Sequence, residues 1–199
     1  MATLTYQPSR RRFLMVSTSA IGGVGLVATA IPFMASMSPS ERARAAGAPV
    51  EADTGNIAPG SLVTVEWRGR PVWILHRTEQ QIATLKGHDD DLVDPASRVR
   101  QQPAYAANPT RSLKPEFLVL TAICTHLGCI PSYRPEPGAA DLGEDWPGGF
   151  YCPCHGSRFD LAGRVFRNVP APTNMEVPPH TFRSPGKLLI GVDPVDALP

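Results

Sequence analysis

Neither sign of charge prevails in this sequence. Nineteen Lys and Arg stand against 18 Asp and Glu, and a net charge of +1 over 199 residues excludes a partner held by bulk electrostatics, nucleic acid above all. Charge is missing altogether from Phe13 to Ser40. Heptads and internal repeats are missing too, which excludes a coiled coil and a solenoid. Cysteine is scarce, at four residues, and all four fall in two short loops. What the chain has in plenty is 22 prolines and 17 glycines, a composition that favours a loop-rich β fold over a helical bundle.

Ser9-Arg10-Arg11-Arg12-Phe13-Leu14 resembles a twin-arginine export signal, a receptor-read address. The charge-free run behind it exceeds the roughly 20 residues that a spanning helix needs and the roughly 7–15 of a cleaved signal's apolar core. The arginine excess ahead of the span keeps the N-terminus cytoplasmic and sends the remainder outside. These features predict a cytoplasmic segment at 1–12, a single-pass transmembrane helix at 13–37 in the cell inner membrane, and a tether at 38–60 with no apolar period. Cleavage is the competing expectation, because Ala43-Arg44-Ala45 and Ala46-Gly47-Ala48 are small-residue sites. Twin-arginine export implies folded cargo, so a cofactor assembled in the cytoplasm can travel inside the chain. The outer compartment permits a disulfide.

Leu62–Trp67 alternates, Gly69 and Arg70 supply a turn, and Val72–His76 returns as the second arm of a hairpin. His76 reads as a packed or edge histidine. Glu79–Thr84 reads as a helical turn. Residues 86–114 read as a surface insertion whose Asp89-Asp90-Asp91 run is solvated. Phe117–Ile123 is a buried strand running into Cys124, and Phe150 with Tyr151 delivers Cys152 after an irregular stretch at 131–149. Arg158–Asp160 and Arg164–Phe166 flank a tight turn at Leu161-Ala162-Gly163, and Val177, Thr181-Phe182 and Leu188–Val192 close the fold. Short strands with frequent turns predict an antiparallel all-β domain over 61–199.

The two loops are CTHLGC at Cys124–Cys129 and CPCHGS at Cys152–Ser157. Cys124 and His126 are spaced i, i+2, and Cys152 and His155 i, i+3. Residues 130–151 are enough to bring the second loop alongside the first. Four cysteines admit a metal site, two disulfides, or one pair of each. If Cys124, His126, Cys152 and His155 are ligands, Cys129 and Cys154 are left as a pair able to cross-link the loops. Two Cys and two His suit structural zinc or an iron–sulfur cluster. Zinc fingers of this ligand set keep like ligands together, whereas each loop here mixes one of each. The mixing suits a two-iron cluster with thiolates on one iron and imidazoles on the other. Neutral imidazole in place of thiolate raises the potential to about −150 to +300 mV, from about −400 mV, where an electron can be taken from a quinol.

With these residues the chain resembles the Rieske iron–sulfur subunit of ubiquinol–cytochrome c reductases (the cytochrome bc complexes), in its bacterial form with a twin-arginine signal. The likeness runs from the anchor through RGRPVWILHRT, Arg68–Thr78, to the Ala171–Pro179 stretch. It implies a Rieske-type β sandwich with a cluster-binding subdomain at about 122–172. It implies one [2Fe–2S] cluster held by Cys124, His126, Cys152 and His155, and a Cys129–Cys154 disulfide. The resemblance gives His155, with His126 beside it, the catalytic contact with quinol, where electron transfer is linked to proton transfer. Ser157 would hydrogen-bond a cluster-side sulfur, and Leu127, Gly128, Pro170, Ala171 and Pro172 would form the quinol docking tip, with Pro170-Ala171-Pro172 covering the cluster. Implied partners are cytochrome b, a cytochrome c-type subunit and quinol, in a dimeric membrane complex with the Rieske domain periplasmic and shuttling on its tether. Two positions depart from the family's commonest pattern. High-potential members place a tyrosine two residues after the serine; Phe159 stands there, and the lost donor predicts a lower potential. Val169 replaces a glycine, which leaves the path of the proline loop open.

Other classes compete. The small subunit of a periplasmic molybdenum oxidase, arsenite oxidase being one, also pairs such a cluster with a twin-arginine signal, but the RPVWILHRT hairpin and the 86–115 insertion favour the quinol complex. A Rieske oxygenase lacks the Cys129/Cys154 pair and needs a further His/His/carboxylate domain, for which 199 residues leave no room. A structural zinc module would be colourless and silent in electron-spin resonance.

Overall fold

The computed structural model describes residues 8–194; residues 1–7 of the expected cytoplasmic segment, and residues 195–199, lie outside the described residues. The chain divides into two compact units, Met1–Ala45 and Ala46–Pro199.

In the first unit, helix α1 runs from Pro8 to Ser36 and a short helix α2 from Glu41 to Ala46. Among the described residues this region holds the one helix long and apolar enough to cross a membrane. A helix that is apolar on every side needs an apolar medium on every side. The Thr29 hydroxyl donates back to the Gly25 and Leu26 carbonyls at 3.0 Å, so that polar group is satisfied within the helix. Pro32 lies inside α1 and denies the Ala28 carbonyl its usual donor.

The second unit is built of antiparallel strands. They are β1 (Val50–Asp53), β2 (Leu62–Trp67), β3 (Arg70–His76), β4 (Phe117–Thr121), β5 (Ser132–Arg134), β6 (Gly149–Cys152), β7 (Ser157–Asp160), β8 (His180–Ser184) and β9 (Lys187–Ile190). They form three sheets, ordered β1-β9-β8, β2-β3-β4 and β5-β6-β7. Strands β3 and β4 are buried on both faces while β2 stays largely exposed, which is why Val72–Leu75 of β3 reads as an unbroken apolar run. Val72, Ile74 and Val119 point to one side and pack with Leu188 and Ile190 of β9, giving the expected sandwich. Trp73, Leu75, Leu118 and Leu120 point to the other side and pack with Phe150 and Phe159 of the third sheet and with Leu161 in the turn after it. Period-2 alternation thus sends one strand's side chains into two cores.

The hairpin turn between β2 and β3 is Arg68-Gly69, because Trp67 pairs with Arg70. Both turn residues take positive φ, 53° and 69°, the type I′ geometry whose twist matches its strands. A capping box opens helix α3 (Glu79–Ala83): the Thr78 hydroxyl accepts from Gln81 N, and the Gln81 side chain from Thr78 N. His76 is a packed histidine, stacked on Phe117, with Nδ1 at 2.6 Å from the Ile57 carbonyl.

Besides the hairpin turn, which falls one residue earlier than the Gly69-Arg70 expected, three expectations need correction. The tether expected at 38–60 is shorter, since β1 pairs with β9 and Ala52 and Ile57 are buried in the core; a four-residue edge strand carries too little pattern to be seen. Residues 131–149 are not wholly irregular, because β5 pairs with β6. The segment 86–114 is no mere surface insertion. Leu92, Ala106 and Arg111 are fully buried, and Asp89, though 63% exposed, accepts from the buried Arg164 guanidinium at 2.9 Å. The Asp90 and Asp91 carbonyls accept from the Arg167 side chain and N–H.

Candidate metal centre

Strand β4 leads into the first loop, and β6 delivers the second. Each loop is closed by the same device. Gly128 N–H donates to the Cys124 carbonyl at 3.1 Å, and Gly156 N–H to the Cys152 carbonyl at 2.9 Å. Both glycines take positive φ, 87° and 79°, a conformation that side chains resist. Each thiol therefore begins a single tight turn, with its histidine raised inside it. Cys124 N–H donates to the Cys129 carbonyl at 2.7 Å, squaring off the first loop.

Cys129 and Cys154 are joined by a disulfide, with Cα atoms 6.7 Å apart, and this ties one loop to the other. Cys124 and Cys152 remain free, and both are buried. Burial pushes the Cys152 thiol up, and the Cys124 thiol against it adds to the rise, while the backbone N–H groups of Cys154 and His155 pull the other way. The His126 and His155 rings lie 4.8 Å apart and nearly perpendicular, at 87°. His155 is exposed and His126 half-buried. The four donors are sorted by depth: two thiols side by side within, two imidazoles at the mouth.

This donor set fits a two-iron cluster. A buried thiol held in its neutral form gives up its proton when a cation arrives beside it, and the two N–H groups aimed at Cys152 stabilise the thiolate that results. The sulfurs of Cys129, Cys152 and Cys154 also lie within 4.8 Å of one another. Cys129 and Cys154 spend their sulfurs on each other, so that trio offers a single thiolate. A surface cavity of about 710 Å³ beside the second loop, lined by Gly156, Arg158 and Val169 among others, contains none of the four donors.

The surrounding residues fall as follows. The buried Ser157 hydroxyl accepts from Ala171 N–H at 3.1 Å, which leaves its own proton free to donate. Phe159 is fully buried opposite Phe150. Leu127 is 72% exposed, and Gly128, Pro170 and Pro172 are exposed too. Ala171, expected in the same tip, is instead buried at 2%, because its N–H is turned inward to Ser157. Val169 packs against the core, and the left-handed backbone falls on Asn168, φ 58°; the loop therefore needs no glycine at position 169. Ile130, 58% exposed, was missed from sequence. Its signal is an apolar residue directly after Cys129 with no strand to bury it. The Thr125 hydroxyl donates to the Thr173 carbonyl at 2.7 Å, fastening the first loop to the segment after the prolines.

The family model described as "Rieske [2Fe-2S] domain" matches residues 49–180, and that described as "Ubiquitinol-cytochrome C reductase Fe-S subunit TAT signal" matches residues 1–40. The ubiquinol-cytochrome c reductase iron-sulfur subunit of Allochromatium vinosum is 60% identical over 184 residues, which cover 92% of this chain and 89% of that protein. The chain belongs to the Rieske iron–sulfur subunit family of ubiquinol–cytochrome c reductases. The subunits of the same name from Blastochloris viridis and Bradyrhizobium diazoefficiens are 44% and 42% identical, covering 94% and 92% of this chain and 95% of each relative. These names favour the quinol complex over the molybdenum oxidase. Membership also accounts for the N-terminus, where the twin-arginine motif and an apolar helix occur together.

Proposed function

We propose that Cys124, His126, Cys152 and His155 hold a [2Fe–2S] cluster, and that the chain is the electron-carrying subunit of a quinol–cytochrome c reductase. The observation that carries this is the sorting of the four donors by depth, with thiols buried and imidazoles at the surface. When bound, the cluster accepts one electron and passes it on, at a potential raised by its imidazole ligands.

The chain's own residues do the rest. Each imidazole binds through one ring nitrogen and keeps the other at the surface. There the exposed His155, with His126 beside it, accepts a hydrogen bond from the quinol hydroxyl and takes its proton. Leu127, Gly128, Pro170 and Pro172 surround that contact with apolar or uncharged surface, which excludes water as the tip docks. Ser157 donates to a cluster-side sulfur, and the Cys129–Cys154 disulfide keeps the loops together. Helix α1 anchors the chain in the inner membrane with its N-terminus cytoplasmic and its sheets periplasmic. Residues 38–49 act as the tether, cytochrome b presents the quinol, and a cytochrome c-type haem receives the electron within a dimeric complex.

Membranes holding the chain with its cytochrome partners should show the reduced-cluster resonance signal on addition of quinol. Leu127→Asp, with the cluster still loaded, should abolish that quinol-dependent signal. Unchanged reduction in Leu127→Asp membranes counts against the docking tip and the quinol role together.

A further inference from the structure

Behind the centre, the turn after the strand that carries Ser157 is held by three side chains: Asp160 accepts from the Ala162 and Arg164 N–H groups, Arg77 donates to the Leu161 carbonyl, and Arg111 alone also reaches the segment beyond the prolines. Arg111 is fully buried, and its guanidinium is where two segments meet. Nη1 donates to the Ala162 and Gly163 carbonyls at 3.0 and 3.2 Å. Nη2 donates to the Met175 carbonyl at 2.7 Å and to Gln102 Oε1 at 3.0 Å. Ala162 and Gly163 form the turn directly after β7, and Met175 lies just beyond the Pro170-Ala171-Pro172 stretch.

The same two segments are tied once more at the cluster end, where Ala171 N–H donates to Ser157 Oγ at 3.1 Å. Between the two ties, Met175 N–H donates to the Gly163 carbonyl at 2.8 Å and Val165 N–H to Asn174 Oδ1 at 2.9 Å. A Cβ on Gly163 would stand 3.2 Å from Arg111 Nη1 and 2.9 Å from Leu120, so the turn is pressed directly onto the guanidinium. Burial lowers the Arg111 pKa to about 10, which still leaves a cation at neutral pH. Its planar fork reaches both segments at once; an ammonium at the same place is a single point and cannot.

We infer that Arg111 is a positioning residue: through the Ala162-Gly163 turn and Met175 it sets the spacing of β7 against the 171–175 segment, and so the aim of the Ser157 hydroxyl at the cluster. The inference rests on the ligation proposed above. Arg111 touches neither cluster nor quinol and acts only through Ser157.

The test is a redox titration of the full, cluster-loaded chain in four forms: unaltered, Arg111→Lys, Ser157→Ala, and the double variant. Arg111→Lys keeps the charge and removes the fork. It should shift the reduced-to-oxidised ratio at fixed ambient potential toward the oxidised form by about threefold to tenfold, tenfold being about 59 mV for a one-electron couple. In the Ser157→Ala background the same substitution should shift it far less, because the hydroxyl it aims is gone. Equal shifts in both backgrounds overturn the inference and assign the effect to general loosening. No shift in the single variant overturns it as well. If Arg111→Lys does not fold, Gln102→Met, which removes one acceptor from the same guanidinium, is judged by the same non-additivity. An unaltered chain with no rhombic resonance signal refutes the ligation itself, a different failure.

Discussion

Phe159 stands where, by family resemblance, high-potential members place a tyrosine, and its ring is fully buried on the strand beside Phe150. Phe159→Tyr should therefore raise the midpoint potential in a redox titration, by the worth of one added donor to a sulfur. An unchanged or lower potential would show that the added hydroxyl finds no sulfur. A buried hydroxyl without a partner would also cost about 1–3 kcal/mol, so thermal unfolding of the variant separates the two cases. At this scale the four proposed ligands stand out in the sequence because their chemistry is local: each thiol has its imidazole two or three positions away. Ala171 was misplaced because its burial depends on Ser157, 14 positions earlier. Arg77 and Arg111 were not legible at all. Charged side chains are rarely buried, and these two donate to backbone carbonyls and to uncharged Ser112 and Gln102 side chains, with Arg111 Nε left without a partner among the described residues; no sequence pattern marks such partners.

At the scale of the element, the two loops are separate turns on separate strands, β4 and β6, and the disulfide joins them across 25 residues. Closing a loop of that size removes about 3–4 kcal/mol of entropy from the unfolded chain. Cys129→Ala with Cys154→Ala should accordingly lower the thermal midpoint and bleach the cluster absorbance before the sheets unfold. Coincident bleaching and unfolding at the unaltered temperature would deny the cross-link its role. The β2/β3 hairpin was legible because alternation and an Arg68-Gly69 turn coincide. Strands β1 and β5 were not, being four and three residues long, too short for a period of two to register. The turn itself was displaced by one residue, since the pairing of Trp67 with Arg70 is a matter of register that composition does not carry.

Across the whole domain, a buried ionic network joins the 86–114 segment to the hairpin beneath the centre. Asp160 accepts from Arg164 Nε at 2.7 Å and lies 3.3 Å from His88 Nε2. Burial alone would raise its pKa, but the hydrogen bond with His88 and the charge of Arg164 prevail and hold it below the usual carboxylate range. A carboxyl whose pKa falls on folding adds stability that is complete above its unfolded value, about 3.9. That stability is lost as pH falls through the lower folded value. Asp160→Asn should thus be less stable at pH 7 by about 3 kcal/mol, because a buried cation loses its partner, and its stability should change less below about pH 4. Denaturant midpoints against pH that run parallel in the two proteins would contradict this. The all-β architecture was legible from strand length and turn frequency. The two-sided middle sheet showed only as an apolar run in β3, which does not say how many layers cover it.

The sorting of thiols inward and imidazoles outward is tested most directly by pulsed electron-spin resonance on the reduced, purified full chain. The account predicts a rhombic two-iron signal coupled to two imidazole nitrogens, lost in Cys124→Ser and reduced to one nitrogen coupling in a His155 variant that keeps its iron. A signal with no nitrogen coupling, or a chain that binds zinc and gives no signal, would contradict it.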